Sequence, residues 1–212
     1  QNGRRNIPAG TRTRLDLDGC VVTGGSHLYD GGGIHAETAT VNIADSEISL
    51  NTADGRGGGI FWLSDDTQRG LGISLNSAVI SNTAGGDGGG VCAPGFGTVV
   101  IENSRVDGNT SYGSGGGIEL GTDLSMYRSR VLGNSAALDG GGIHAFRNAV
   151  TLEESTVIDN EALENGGGLY LAGNQTTELS HLVNSTVTGN TAGGSGGGLY
   201  LDTSDLTYYG LT

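Results

Sequence analysis

Seven times along the chain, three consecutive glycines are followed by a branched apolar residue. The triplets end at Gly33, Gly59, Gly90, Gly117, Gly142, Gly168 and Gly198, and Ile34, Ile60, Val91, Ile118, Ile143, Leu169 and Leu199 follow them. Glycine loses more conformational freedom on folding than any other residue, so a triplet present in every copy meets a geometric need. Six residues before each triplet stands Asn51, Asn82, Asn109, Asn134, Asn160 or Asn190, with Gly25 in the first copy. Five residues further upstream stands Ser46, Ser77, Ser104, Ser129, Ser155 or Ser185, with Cys20 in the first copy. Between them lie Val22, Ile48, Val79, Val106, Val131, Val157 and Val187. From the Ser position to the first glycine is always 11 residues, whereas from the last glycine to the next Ser is 12 to 18. A constant arc joined to a variable arc describes a coil with one fixed edge and one edge open to insertions. The total period, 25 to 31 residues, is that of a solenoid.

Alternation sets the secondary structure. Segments such as STVTGN and GGLYL, and pairs such as Leu15/Leu17, Val41/Ile43 and Val150/Leu152, put apolar or small residues at every second position. That is the period of β-strands, and no stretch has helical length and spacing. Three short strands per coil, all wound one way, predict an all-β parallel β-helix of about seven coils, right-handed like nearly all parallel crossovers. The repeat makes residues 1–212 a single domain. The last stretch, DLTYYGLT, stands partway into an eighth coil, which reads as a segment of a longer solenoid.

Stacking identical coils assigns work to the invariant positions. Asparagine tolerates left-handed backbone better than other non-glycine residues, and its amide can bond to the asparagine one coil away, so the six asparagines are expected to form an internal ladder. The serines are expected to satisfy polar groups near the same bend. The glycines permit unusual φ and close backbone approach where the chain re-enters a strand. No helix and no Lys/Ser/Thr completion follows the triplets, so they are structural and not a phosphate cradle.

Residues 184–200, NSTVTGNTAGGSGGGLY, carry a family resemblance. The pairing of G-G-x-[ILV] with apolar-x-x-N resembles the repeats of chlamydial polymorphic outer-membrane proteins, with Val or Ile here in place of Phe and Gly in place of Ala. It is still more similar to bacterial secreted right-handed β-helix repeat proteins. The resemblance covers essentially the whole chain and implies a secreted or surface-displayed passenger, adhesive or scaffolding. It transfers no catalytic residues, because the shared motif is the skeleton of the fold.

Charge narrows the partners. The formal net charge is −13, and all 10 basic residues are arginine. Such a surface repels phosphate backbones and anionic lipid heads, and no apolar run reaches the length of about 18 residues needed for a spanning helix. Nucleic acid and membrane insertion are therefore not expected. Cys20 and Cys92 occupy different repeat positions two coils apart, beyond disulfide reach, and should be free thiols.

Candidate sites come from columns. The residue after each Gly-Gly-Gly-[IVL] should point outward, giving His35, Phe61, Cys92, Glu119, His144, Tyr170 and Tyr200. Its last three members form an aromatic strip suited to a sugar, or else a stack that only stabilises adjacent strands. Two long variable arcs, 62–72 and 172–181, are the insertions, and the first brings Asp65 and Asp66 close to Arg69. The corner before each triplet reads Asp30, Arg56, Asp87, Ser114, Asp139, Asn165 and Ser195, with no two acids in adjacent coils. Across two coils, about 10 Å, a carboxylate pair fits an inverting glycosidase only marginally. Ca2+ is the one ion that Asp or Asn side chains with glycine carbonyls could hold, but the nonapeptide calcium repeat is missing and the four histidines lack zinc spacing. No cofactor is otherwise expected. The reading is a non-enzymatic extracellular or cell-surface scaffold, adhesin-like passenger or filament component. Its partners would be other surface or filament proteins, or glycans, with end-to-end or lateral assembly. The alternatives are a polysaccharide lyase or glycoside hydrolase, or a carbohydrate-binding module, on the same fold.

Overall fold

The first coil is built from four short strands: β1 (Thr13–Asp18), β2 (Val21–Thr23), β3 (Ser26–His27) and β4 (Ile34–Glu37). Each later coil repeats them, and each strand pairs in parallel with its equivalent one coil on. Leu15 lies beside Val41, Val22 beside Ile48, and Ile34 beside Ile60. This computed structural model describes residues 13–146, 148–173 and 180–202, and the backbone of 206–209. Most of the second insertion, residues 174–179, lies outside the described residues. The stack gives sheet A with eight strands and sheets B, C and D with seven each, in the coil order A, B, C, D. Strands of sheets A, B and D supply the three expected per coil. Sheet C is a two-residue ladder squeezed into the tight bend between the asparagine and the glycines. No helix occurs among the described residues.

The core is a thin set of columns running up the axis. Val79, Val106, Val131 and Val157 are fully buried in one column, and Val187 packs partly buried at its upper end. In sheet D the inward column Ala36, Trp62, Ala93, Leu120, Ala145, Leu171 alternates small with large. That alternation makes room for the indole of Trp62, whose Nε1 donates to the Ala39 carbonyl at 2.8 Å. Each fully buried aliphatic side chain contributes about 1.5–3 kcal/mol over an exposed one, spread evenly along the rod.

The asparagines form the expected ladder, and it is complete. Asn134 Oδ1 accepts from both the backbone N–H and Nδ2 of Asn109, at 2.8 and 3.0 Å. Asn134 Nδ2 donates to Asn160 Oδ1 and to the Val106 carbonyl, both at 2.9 Å. Every donor and acceptor of the side chain is therefore used, inside a core where Asn134 is 1% exposed. The left-handed role assigned to these asparagines is corrected: none has positive φ. That conformation belongs to the residue before, namely Gly24, Leu50, Ser81, Gly108, Gly133, Asp159 and Gly189. The chain turns one position early, and the turn aims the asparagine amide along the axis.

The serines make a second ladder, with each backbone N–H donating to the serine one coil on, as in Ser104 to Ser129 Oγ at 3.1 Å and Ser129 to Ser155 Oγ at 3.2 Å. It is interrupted at Ser77, whose N–H turns back to Ser74. There the corner between sheets A and B holds two left-handed residues, Leu75 and Asn76, where the next coils hold one. The glycine triplet divides its duties. Its first member has positive φ, as at Gly140 (φ 65), and its second and third lie against the next coil. A Cβ on Gly141 would sit 2.3 Å from the Glu161 carbonyl oxygen.

Candidate functional site

The residues expected to point outward from sheet D form one in-register column, His35, Phe61, Cys92, Glu119, His144, Tyr170 and Tyr200. Their exposure needs correcting. Phe61 and Cys92 are 1% and 0% exposed, because the turn before each triplet folds back over the outer face of the sheet. The first glycine of each triplet touches the column: a Cβ on Gly88 would meet that of Cys92 at 2.7 Å, and one on Gly140 that of His144 at 2.6 Å. The Arg56 guanidinium lies 4.9 Å above the centre of the Phe61 ring. The column is thus sealed at Phe61 and Cys92, exposed at His35 below them, and partly open in its upper half, from Glu119 onward.

In that upper half the three aromatic residues do come together. The His144 and Tyr170 rings stack at 4.7 Å with 28° between planes, and those of Tyr170 and Tyr200 at 4.9 Å with 18°. Stacked along the axis, the rings cover one another's faces and turn mainly edges to solvent, which is the geometry of strand-to-strand packing. Below them His144 Nδ1 and Glu119 Oε2 are 2.7 Å apart, both side chains largely buried. Burial pushes the Glu119 carboxyl up, and the His144 hydrogen bond offsets this only in part. Burial would lower His144, but the Glu119 hydrogen bond and charge, with Asp139 and Asp87 nearby, raise it overall. Burial pushes the Cys92 thiol well up, with Glu119 and Asp87 adding to the effect against Arg56. Cys92 is therefore a neutral, inert thiol, and His144 stands two rungs from it, about 9.6 Å, too far to take its proton. Cys20 is also a free thiol.

The corner beside this column is occupied with backbone. Asp30 Oδ1 accepts from the Arg56 N–H at 2.8 Å, Asp87 Oδ1 from Ser114 at 2.9 Å, Asp139 Oδ1 from Asn165 at 2.9 Å, and Asn165 Oδ1 from Ser195 at 2.9 Å. Asp30 also holds the Arg56 guanidinium at 2.9 Å. These carboxylates are rungs of a third ladder. Asp65 and Asp66 lie in the turn between Ile60–Leu63 and Gly70–Ser74, three coils from His144, so the structure does not unite them with the strip. Asp65 is exposed, and Asp66 caps its own turn by accepting from the Gln68 N–H at 2.9 Å. Among the described residues, no group of three His, Cys, Asp or Glu converges as a cation site would require. The Glu119–His144 pair escaped sequence reasoning that scanned for carboxylate pairs only within the corner column. The signal was there: Glu119 and His144 hold the same repeat position in successive copies.

Two comparisons find no counterpart, as no curated protein and no solved structure matches the chain. The family model described as a right handed beta helix region matches residues 2–210, which agrees with the parallel coil described above and gives it the expected right hand.

Proposed function

The chain belongs to the right-handed β-helix family, and from that premise we propose that it is a non-enzymatic scaffold of the cell exterior, a rod that presents surfaces to other surface proteins or to glycans. One observation carries the reading: the carboxylates best placed for hydrolysis, Asp30, Asp87 and Asp139, each have Oδ1 engaged by the backbone of the next coil. Glu119 is held by His144, and Cys92 is sealed. The asparagine ladder, unbroken from Asn51 to Asn190, supports it further, since no catalytic cleft cuts between the coils along it. The acidic charge keeps such rods soluble and apart from anionic membranes, and the reading calls for no cofactor.

A second reading, glycan binding at the upper strip, is favoured by the part-exposure of Tyr170 and Tyr200 beside Phe146, which is 44% exposed. One comparison tests both: wild type against Tyr170→Ala/Tyr200→Ala, on a glycan array and in a reducing-end release assay. The expected result is no sugar release and, at most, weak binding that needs multivalent display. Measured turnover by the wild type would overturn the scaffold. Binding that disappears in the double variant would make the strip a glycan site.

A further inference from the structure

The extra residue at the corner of sheets A and B has a consequence on the surface. Where the serine ladder is interrupted, an open cavity of about 470 Å³ forms, lined by Arg105, Arg128 and Arg130 with Asn76, Asn103 and Thr156. A second cavity of about 210 Å³ shares Asn76 and Arg105 and runs toward the first coil, where Asp45 and Glu47 line it, so the basic part of the groove is the first cavity. Three of the chain's 10 basic residues thus gather in one groove. Their neutralisation is incomplete. Asp107 pairs with Arg130 at 2.8 Å and also serves Arg105 at 3.6 Å, while Glu154 pairs with Arg128 at 2.7 Å. Three cations face two carboxylates, and the guanidinium side chains remain 43%, 55% and 47% exposed.

The corner between sheets C and D is the opposite in shape and sign. Glu161 and Glu164 stand exposed on it, with Asp54 lower on the same corner. Between them rise Tyr112, Leu138 and Leu163, which are 68%, 42% and 62% exposed, so this corner is a crest. Sheets B and C separate it from the groove on one side, and sheets D and A on the other.

We propose that the groove of one copy receives the crest of a second copy, so that rods associate side by side. Charge selects the pairing: on a chain of net charge −13, the three arginines lining the first cavity form, among the described residues, a basic surface that complements an acidic crest. Arg105 and Arg130 are register partners in adjacent coils, one rung of about 4.8 Å apart, so the groove offers its cations close together to the two carboxylates that Glu161 and Glu164 hold in a single coil of the crest. Because groove and crest are different surfaces, the contact is heterologous and extends into rows instead of closing as a dimer. The inference deepens the scaffold reading and rests on it for its purpose, but the experiment reads association alone, so its failure leaves the sugar-release test untouched.

Sedimentation velocity in buffer of about 20 mM ionic strength should show concentration-dependent association that disappears at about 0.5 M salt. Arg105→Glu/Arg128→Glu, and separately Glu161→Arg/Glu164→Arg, should each weaken it about tenfold or more. Arg105→Gln/Arg128→Gln should fall between wild type and reversal, which guards against a reversal that disturbs the fold, and circular dichroism reports folding directly. Mixing the two charge-reversed proteins should restore association, since each then offers what the other lacks. Wild type that stays monomeric at low salt, reversed variants that associate like wild type, or a mixture that fails to recover would each overturn the proposal.

Discussion

The two arcs of each coil follow different rules. From the serine to the glycine triplet, every coil has the same length, and three ladders, of serine, asparagine and corner side chains, cross from coil to coil. From the triplet to the next serine, length varies, and the arc holds its place by inward side chains such as Ile73, Ile101 and Met126. Ladders need a partner at one exact height and therefore forbid insertion. Apolar packing tolerates a loop such as residues 64–69, provided the strands on either side stay in register. The contrast teaches that the fixed arc is fixed by directional bonds and close backbone approach, more than by hydrophobicity.

The sharpest way to break this comparison is a methyl group on each arc. Gly141→Ala places a Cβ within 2.5 Å of backbone atoms of the next coil, so unfolding at room temperature or a loss above about 4 kcal/mol is expected. Gly72→Ala, in a variable-arc strand, meets nothing closer than the Asn42 side chain at 3.4 Å. It should be neutral or stabilise by up to about 1 kcal/mol. Equal losses in urea unfolding would contradict the distinction.

Asparagine gives the next contrast. Asn134→Ala leaves the Asn109 N–H and the Val106 carbonyl without their partners in a dry core, at about 1–3 kcal/mol for each buried group. Asn42→Ala removes one exposed bond to Asp16 and should cost below about 0.5 kcal/mol. Thermal midpoints of the two variants check the ordering.

The smallest effect is a slope with pH, at the outer face where the fixed arc ends. Glu119 and His144 both have folded-state values above their usual 4.5 and 6.5. The folded protein therefore binds protons that the unfolded chain releases, and their contribution is full below pH 4.5 and is lost as pH rises through the raised values of the folded state. Midpoints should fall from about pH 5 to pH 8 in wild type, and the slope should flatten in Glu119→Gln. An unchanged slope would remove the pair from the account.

Much of this was legible in the repeat. Constant spacing marked the fixed arc, alternation marked the strands, and the invariant asparagines marked a ladder. The location of the left-handed residue was hidden, because Gly24, Leu50, Ser81 and Asp159 share no side-chain chemistry at that position. The burial of Phe61 and Cys92 was hidden too, since alternation tells which side of a strand a residue takes and says nothing of a turn folding over that side. The arginine groove depends on one extra residue at Leu75–Asn76, which in sequence is only a longer gap.

The asparagine ladder also decides how the rod bears load. Its bonds run along the axis, Asn51 to Asn82 to Asn109 and onward, so tension between the two ends loads them in series. In such an arrangement the weakest rung yields first, and the others hold until their turn. Each coil that peels away frees 25 to 31 residues, a length of about 80–110 Å when stretched. The rod is therefore a brake that lengthens in repeated steps of one coil under tension, and each step leaves the remaining coils as firmly stacked as before.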